Sequence, residues 1–265
     1  MPVSRSAMTA SLILLGCGQV LGADLPAPNA HTVEQASLPG QPYWSFTAGT
    51  YLWAASMSGN VGQFGLQPVS VEASFSDTLK HLDFGATLVA ELRYGDFGLF
   101  NDFMYVKLSG ESATPRGVVA NSVSLDSRNI IYTAAGEYRL VDDAKGSLDL
   151  LAGVRVWSVD TDISFHGGIL DGQTFNEGDT WVDALAGIKG RLNLTPEFYL
   201  SGWAMAGGGS SDFMWDLWGG LGYQFSDKFS ALVGYRASGV NYDNGKGFVF
   251  DVVQQGPMIG AAYRF

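Results

Sequence analysis

From Trp44 to the carboxyl end, apolar and polar side chains alternate with a period of two, broken at intervals by turn-forming residues. Counting back from Phe265 puts Phe265, Tyr263, Ala261, Ile259 and Pro257 on one face of a strand. Arg264, Ala262, Gly260, Met258, Gly256 and Gln254 fall on the other. One face is apolar and the other mixed, the pattern of a strand with two different surroundings. The alternation predicts strands over Trp44–Met57, Phe84–Tyr94, Phe97–Leu108, Ser124–Leu140, Leu148–Phe165, Trp181–Asn193, Phe198–Gly207, Phe213–Phe225, Phe229–Tyr242 and Phe248–Phe265, about ten in all. A short extra strand at Val69–Phe75 and a helical turn at Asp77–Leu82 keep eight and twelve open as counts.

The connections alternate in length. Gly95-Asp96, Val141–Gly146, Leu194–Glu197 and Ser226–Lys228 are short and rich in turn formers. Between them come longer connections at 59–83, 110–123 and 166–180, with shorter ones at 208–212 and 243–247. Aromatic residues collect at the turn side, among them Trp44, Tyr94, Phe97, Tyr138, Phe198, Tyr199, Tyr223, Phe225, Phe229 and Tyr263. Trp53, Trp157, Trp181, Trp215, Tyr242 and Phe248 lie towards the loop side and are the candidates for a second girdle, although some have inward parity.

Composition decides what such strands build. Charged residues are 15% against aromatics at 13%, with 35 glycines and a mean hydropathy of only +0.10. A soluble domain carries about 25% charged residues. Yet beyond the amino-terminal segment no apolar run approaches the roughly 18 residues of a membrane helix. Both facts fit an all-β fold, an antiparallel up-and-down transmembrane β-barrel, whose strands average a lipid face with a polar interior.

At the amino terminus, Arg5 precedes the apolar stretch Ala10–Gly16, and Val20-Leu21-Gly22 before Ala23 supplies a cleavage site, so residues 1–22 read as a secretory signal. Leu14-Leu15-Gly16-Cys17 also resembles a lipoprotein box that would lipidate Cys17; the plainer reading keeps Cys17 in the signal's apolar core. Residues 23–42, with Pro26, Pro28, Pro39 and Pro42, read as a flexible periplasmic leader, and 43–265 as the barrel. The net charge of −11 becomes −12 once Arg5 leaves with the signal. No basic patch stands out, which argues against nucleic acid as a partner.

Parity within each strand turns Glu91, Arg93, Glu137, Arg139, Asp149, Arg155, Asp183, Lys189, Arg191, Asp216, Arg236 and Arg264 to the lumen. An Arg or Lys facing lipid near the midplane costs about 2–4 kcal/mol, so this parity is strongly enforced. Only Phe97–Leu108 resists, since Asn101, Asp102 and Lys107 span both parities; a bulge is expected there. The lumen charges read either as a pore lining or as a salt-bridged plug. Barrels of about eight strands are filled by their own side chains and open channels belong to about sixteen, so the plug is preferred.

Enzyme chemistry has little to draw on. The histidines are His31, His81 and His166, and the best constellation is His166 with Asp160 and Asp162. It resembles in chemistry, not in motif, the Asp and His pairs of the ten-stranded omptin proteases, and a solvated loop histidine is the simpler account. Asp160-Thr161-Asp162 and Asp243-Asn244-Gly245 lack calcium-loop spacing, and Gly207-Gly208-Gly209 precedes no helix that would hold a phosphate. No catalytic residue, cofactor or metal site is predicted.

The signal segment, the strand and turn alternation, Leu150–Arg155, Leu221–Phe225 and the ending Ala262-Tyr263-Arg264-Phe265 together resemble the small outer-membrane β-barrel proteins of Gram-negative bacteria, the group that includes the OmpA-like transmembrane domain. The resemblance implies a cell outer membrane location, contact with outer-membrane lipid and lipopolysaccharide, and assembly by the barrel-insertion machinery with Phe265 as the signal. No peptidoglycan-binding segment follows the barrel, so envelope tethering is not expected. The expectation is a monomeric, non-enzymatic barrel with a structural or surface-interaction role. A narrow passive channel for small solutes is the alternative, and a loop-sited hydrolase a third.

Overall fold

The computed structural model describes residues 44–65, 67–114 and 120–265. The signal, the leader, Cys17 and His31 lie outside the described residues. The chain forms β1 (Trp44–Trp53), β2 (Ser56–Gly62), β3 (Val69–Ala73), α1 (Phe75–Lys80), β4 (Leu82–Tyr94), β5 (Phe97–Ala113), β6 (Ser122–Asp143), β7 (Gly146–His166), β8 (Thr174–Asn193), β9 (Phe198–Gly209), β10 (Phe213–Gln224), β11 (Phe229–Asp243) and β12 (Val249–Arg264). Ten strands close a ring: β1 pairs with β4, β4 to β12 pair in sequence order, and β12 returns to β1, every pair antiparallel. The ring is a closed ten-stranded barrel, with β2 and β3 continuing one edge outside it.

The first alternating run is split because its partner strand contains a proline. β12 pairs with β1 through Met258–Arg264 and with β2 through Val249–Gln255. Between them Pro257 has no N–H to give the ladder. Ala54 N–H still donates to Pro257 O at 2.9 Å, and a Cβ on Gly256 would lie 2.0 Å from Ala54 O, so the chain bends there over bare backbone. The β1–β4 ladder ends at Gly49–Val89. One step above, threonines take over: Tyr51 N–H donates to Thr87 Oγ1 at 2.9 Å, and Thr50 Oγ1 donates to Thr87 O at 2.9 Å.

No bulge interrupts β5, contrary to expectation. It pairs in unbroken register with β6 from Phe97–Tyr138 to Ala113–Ser122. Asp102 faces the lumen; Asn101 faces outward, where the Tyr132 hydroxyl donates to its amide oxygen at 2.7 Å and covers the polar group. Lys107 is also outward, beside Asp83 at 3.1 Å. The irregularities lie instead at Leu82/Phe84 in β4 and Arg139/Val141 in β6.

Outward residues form an apolar belt. On β7 it runs from Leu148 to Val156, nine residues, or roughly 23 Å along the barrel axis at a 40° tilt. Below it the turn-side aromatics interlock, with ring centroids 4.8 Å apart for Trp44–Tyr94, 5.3 Å for Phe97–Tyr138, 4.9 Å for Phe198–Tyr223 and 5.3 Å for Phe46–Phe265. Phe265 also closes the ring through its backbone N–H, which donates to Phe46 O at 2.9 Å. Tyr199, counted with this girdle by position, faces inward and is buried.

The loop-side girdle is corrected more deeply. Trp157, Trp181, Tyr242 and Phe248 are buried in the lumen, Trp53 also faces inward, and of the six candidates only Trp215 follows outward parity. The cause is a difference in wall height. β6, β7 and β8 have 22, 21 and 20 residues, whereas β9 and β10 have 12 each. Over the low hairpin the ends of β11 and β12 reach β8: Tyr242 stacks on Trp181 at 4.0 Å, and Tyr242 OH and Asn244 Nδ2 donate to Asp179 at 3.0 and 2.8 Å. Inward aromatics there lose more water contact than outward ones would.

Candidate functional site: the barrel lumen

Three layers occupy the lumen. Nearest the turns, β4, β6 and β8 present charges at alternate positions and β7 presents Asp149, which antiparallel register sets opposite Arg139 on one side and Lys189 on the other. Arg93 Nε meets Glu91 at 3.0 Å, and its Nη2 meets Glu137 at 2.7 Å and Asp149 at 3.1 Å. Arg139 pairs with Asp149 at 2.6 Å and Asp142 at 3.0 Å, while Lys189 bridges Glu91 and Glu137. Glu91, Glu137 and Asp149 are thus matched by Arg93, Arg139 and Lys189, as burial of ions requires.

The middle layer is drier. Arg236 holds Asp216 at 2.6 Å and Asp102 at 2.7 Å through Nη2, and its Nη1 donates to Tyr51 OH at 2.9 Å. Tyr51 OH in turn donates to Asp102 at 2.8 Å. Arg155 donates to Asp216 at 2.6 Å and to Thr133 Oγ1 at 2.7 Å, and Trp203 Nε1 donates to Asp216 at 3.0 Å. Asp216 and Thr133 are 0% exposed, Arg155 1%, and Arg236 and Asp102 2%. Two cations meet two anions, with the hydroxyl and indole donors completing the shell.

The loop-side layer is aromatic: Trp157, Trp181, Tyr242, Phe248 and Phe250 pack with Met205, Met214 and Val240. At its base Asp183 is fully buried and accepts from Ser211 N–H at 2.8 Å. Its second oxygen, Trp157 Nε1, Trp181 Nε1 and Ser211 Oγ have no hydrogen-bond partner among the described residues.

Of the twelve lumen charges expected from parity, nine therefore enter the two ionic layers and Asp183 stands above them. Arg191 and Arg264 line a cavity of about 1,090 Å³ on the turn side and have no carboxylate partner among the described residues. Sequence reasoning missed Asp102, Tyr51, Thr133 and Trp203. Asp102 was findable: Phe97, Leu99, Phe103 and Tyr105 share one parity, leaving Asp102 on the other face.

No protein-family model and no curated protein matches the chain. Solved structures do. The outer membrane protease OmpT of Escherichia coli aligns over 87% of this chain and 100% of its own at 10% identity, with a TM-score of 0.50. The fold is that of an outer-membrane β-barrel. At that identity the likeness is of fold alone. Ail, the attachment invasion locus protein of Yersinia pestis, aligns over 84% of this chain and 98% of its own at 15% identity and a TM-score of 0.36. Neisserial surface protein A gives 12% identity, 84% and 97% coverage and a TM-score of 0.33.

In this outer-membrane barrel fold the described histidines, His81 and His166, make no ion pair with a carboxylate among the described residues. His166 Nε2 lies 2.9 Å from Ser124 Oγ, and Asp162 is engaged by Arg128 at 3.1 Å and Asn176 at 2.7 Å. Asp162 sits four residues before His166 on the same strand, about 13 Å away at strand rise. His81 Nδ1 contacts Ser109 O at 3.0 Å. Among the described residues no cluster of three or more His, Cys, Asp or Glu could hold a metal. Asp243-Asn244-Gly245 is a turn: Asp243 accepts from Gly245 N–H at 2.8 Å, and Gly245 has φ 67°.

Proposed function

We propose that this protein is an integral, monomeric outer-membrane barrel with a structural or surface-interaction role, whose lumen does not conduct. The observation that carries the reading is the middle layer: Arg155, Asp216, Arg236 and Asp102 cross the lumen from β7, β10, β11 and β5, are at most 2% exposed and compensate one another. The aromatic layer above it adds a second seal. Every ring strand has both neighbours within the chain, so assembly leaves no ring edge for a second copy. Export through a removed signal at 1–22, insertion guided by Phe265, and contact of the apolar belt with outer-membrane lipid and lipopolysaccharide complete the reading. The exposed tall wall of β5–β8, with Lys107, Asp126, Arg128 and Asp162 on its outer face, is the surface it offers beyond the lipid.

Planar-bilayer conductance of the folded protein tests it, beside a variant carrying Arg236→Ala and Asp216→Ala. Silence in the wild type with openings in the variant is the expected outcome. Steady wild-type conductance whose ion selectivity follows Arg155 would instead make the protein a narrow channel and overturn the reading.

A further inference from the structure

The turn-side cavity is a cup that Tyr51 and Trp203 of the middle layer floor. Its wall carries the turn-side ionic layer, whose Glu91 and Asp149 are already paired with Arg93, Arg139 and Lys189, and Asp96, Asp143, Asp227 and Lys228 line it too. In both layers each arginine and lysine meets a carboxylate within 3.1 Å. Arg191 does not. Its Nε donates to Asn193 Oδ1 at 3.0 Å and its Nη2 to Gln224 Oε1 at 3.3 Å, both neutral, and Nη1 has no partner among the described residues. A guanidinium left with amides only, in a chain with 26 acidic residues, keeps its charge unspent.

The group is also held still. Its carbon lies 3.5 Å from the centroid of the buried Tyr199 ring. That ring is itself pressed against Gly222, where a Cβ would come within 2.1 Å of it. Gln224 is oriented from its far side, since its Nε2 donates to Ser226 O at 2.6 Å. Glycine, tyrosine and guanidinium thus form a stack that fixes the plane of the fork. Arg264 lines the same cup near its mouth and makes no ion pair among the described residues.

We infer that the turn-side cup binds a small anionic ligand, its carboxylate or phosphate group taken end-on by the Nη edge of Arg191 with Arg264 as second cation. This inference rests on the reading of the middle layer as a closed floor. A planar guanidinium with Nη1 unengaged and one N–H left on Nη2 beside the Gln224 bond matches the two oxygens of either group, and stacking lowers the entropy cost of orienting it. The cup's volume of about 1,090 Å³ exceeds what the anionic group alone requires, which leaves room for a ligand with a body beyond that group.

The experiment is a titration of the folded full chain in detergent at fixed ionic strength, read by tryptophan fluorescence, since Trp203 and Trp218 line the cup. Pyrophosphate and citrate are the two probes. A saturable change with either supports the inference, and whichever probe binds more tightly assigns the group as phosphoryl or carboxylate. Arg191→Gln is expected to weaken binding by about tenfold or more and Arg191→Lys by nearly as much, because lysine lacks the fork. Arg264→Gln is expected to weaken it a few-fold, and Arg128→Gln, on the outer wall, not at all. Gln224→Glu places a carboxylate against Arg191 and should abolish binding without removing a cation; it carries the test if Arg191→Gln fails to fold. A response that never saturates, or one equally strong in Gln224→Glu, overturns the inference. Conductance separates the two readings: a silent barrel that binds neither probe fails here alone, whereas a conducting barrel that binds them fails in its floor.

Discussion

Arg155 and Asp183 are directly opposed across the β7–β8 ladder, yet the arginine turns away and bonds Asp216 on β10 at 2.6 Å. Asp216 already serves Arg236 and Trp203. The opposed pair is therefore not the ion pair, and the two aspartates should respond very differently to neutralisation.

Asp216→Ala leaves buried Arg155 without a carboxylate and Arg236 with Asp102 alone, and is expected to cost about 3–5 kcal/mol, the usual range for breaking a buried pair. Asp183→Asn keeps an acceptor for Ser211 N–H and should cost under about 1.5 kcal/mol. Urea unfolding and refolding in detergent, followed by tryptophan fluorescence, compares them. Equal losses would mean that Arg155 is shared between both aspartates in solution.

Gly222 and Gly219 both lie on β10, but only Gly222 has a ring against it. An added Cβ at Gly222 meets Tyr199 at 2.1 Å, whereas at Gly219 it meets nothing within 4 Å. Gly222→Ala should destabilise by about 1–3 kcal/mol through overpacking, with Gly219→Ala near neutral. The same unfolding assay reads both.

Thr87 closes the wall where the β1–β4 ladder stops. Thr87→Val removes the hydroxyl that receives Tyr51 N–H, at a cost of about 1–2 kcal/mol, while Thr87→Ser keeps it. Hydrogen exchange at the Tyr51 amide should accelerate in the valine variant and stay protected in the serine variant. Unchanged exchange in both would show that the seam does not depend on the hydroxyl.

In the loop, Asp77 is held below the ordinary carboxylate value of 3.8, first by the Ser74 hydroxyl, which donates to it at 2.6 Å, and then by Lys80. A lowered value means that the contribution is present above pH 3.8 and is lost as pH falls through the lowered value. Helix α1 should therefore loosen on strong acidification, with exchange rising at 75–80 and the effect absent in Asp77→Asn. Acid-insensitive exchange in the wild type would contradict this.

The alternation around Leu150–Arg155 and Tyr263–Phe265 was enough to specify strands, their inward and outward faces and a barrel, because a period of two is written into each strand locally. It also placed Arg155, Asp216 and Arg236 in the lumen, since lipid tolerates no other side for them. Position near a strand end was a weaker guide. Tyr199 and Trp181 stand where girdle residues stand, but their surroundings depend on which distant strand leans over them.

Pairing was beyond the sequence for a geometric reason. Charges from β5, β7, β10 and β11 converge on one level only after ten strands have closed with a particular stagger, and one-residue spacing along a strand says nothing about height across a ring. The bend at Ala54–Ala55 is similarly remote, caused by Pro257 some two hundred residues later, as a missing donor on a strand that is adjacent only in the closed barrel. What the chain determined by itself was which side chains face inward; tertiary structure decided which of them meet, and left Arg191 among those that meet no opposite charge.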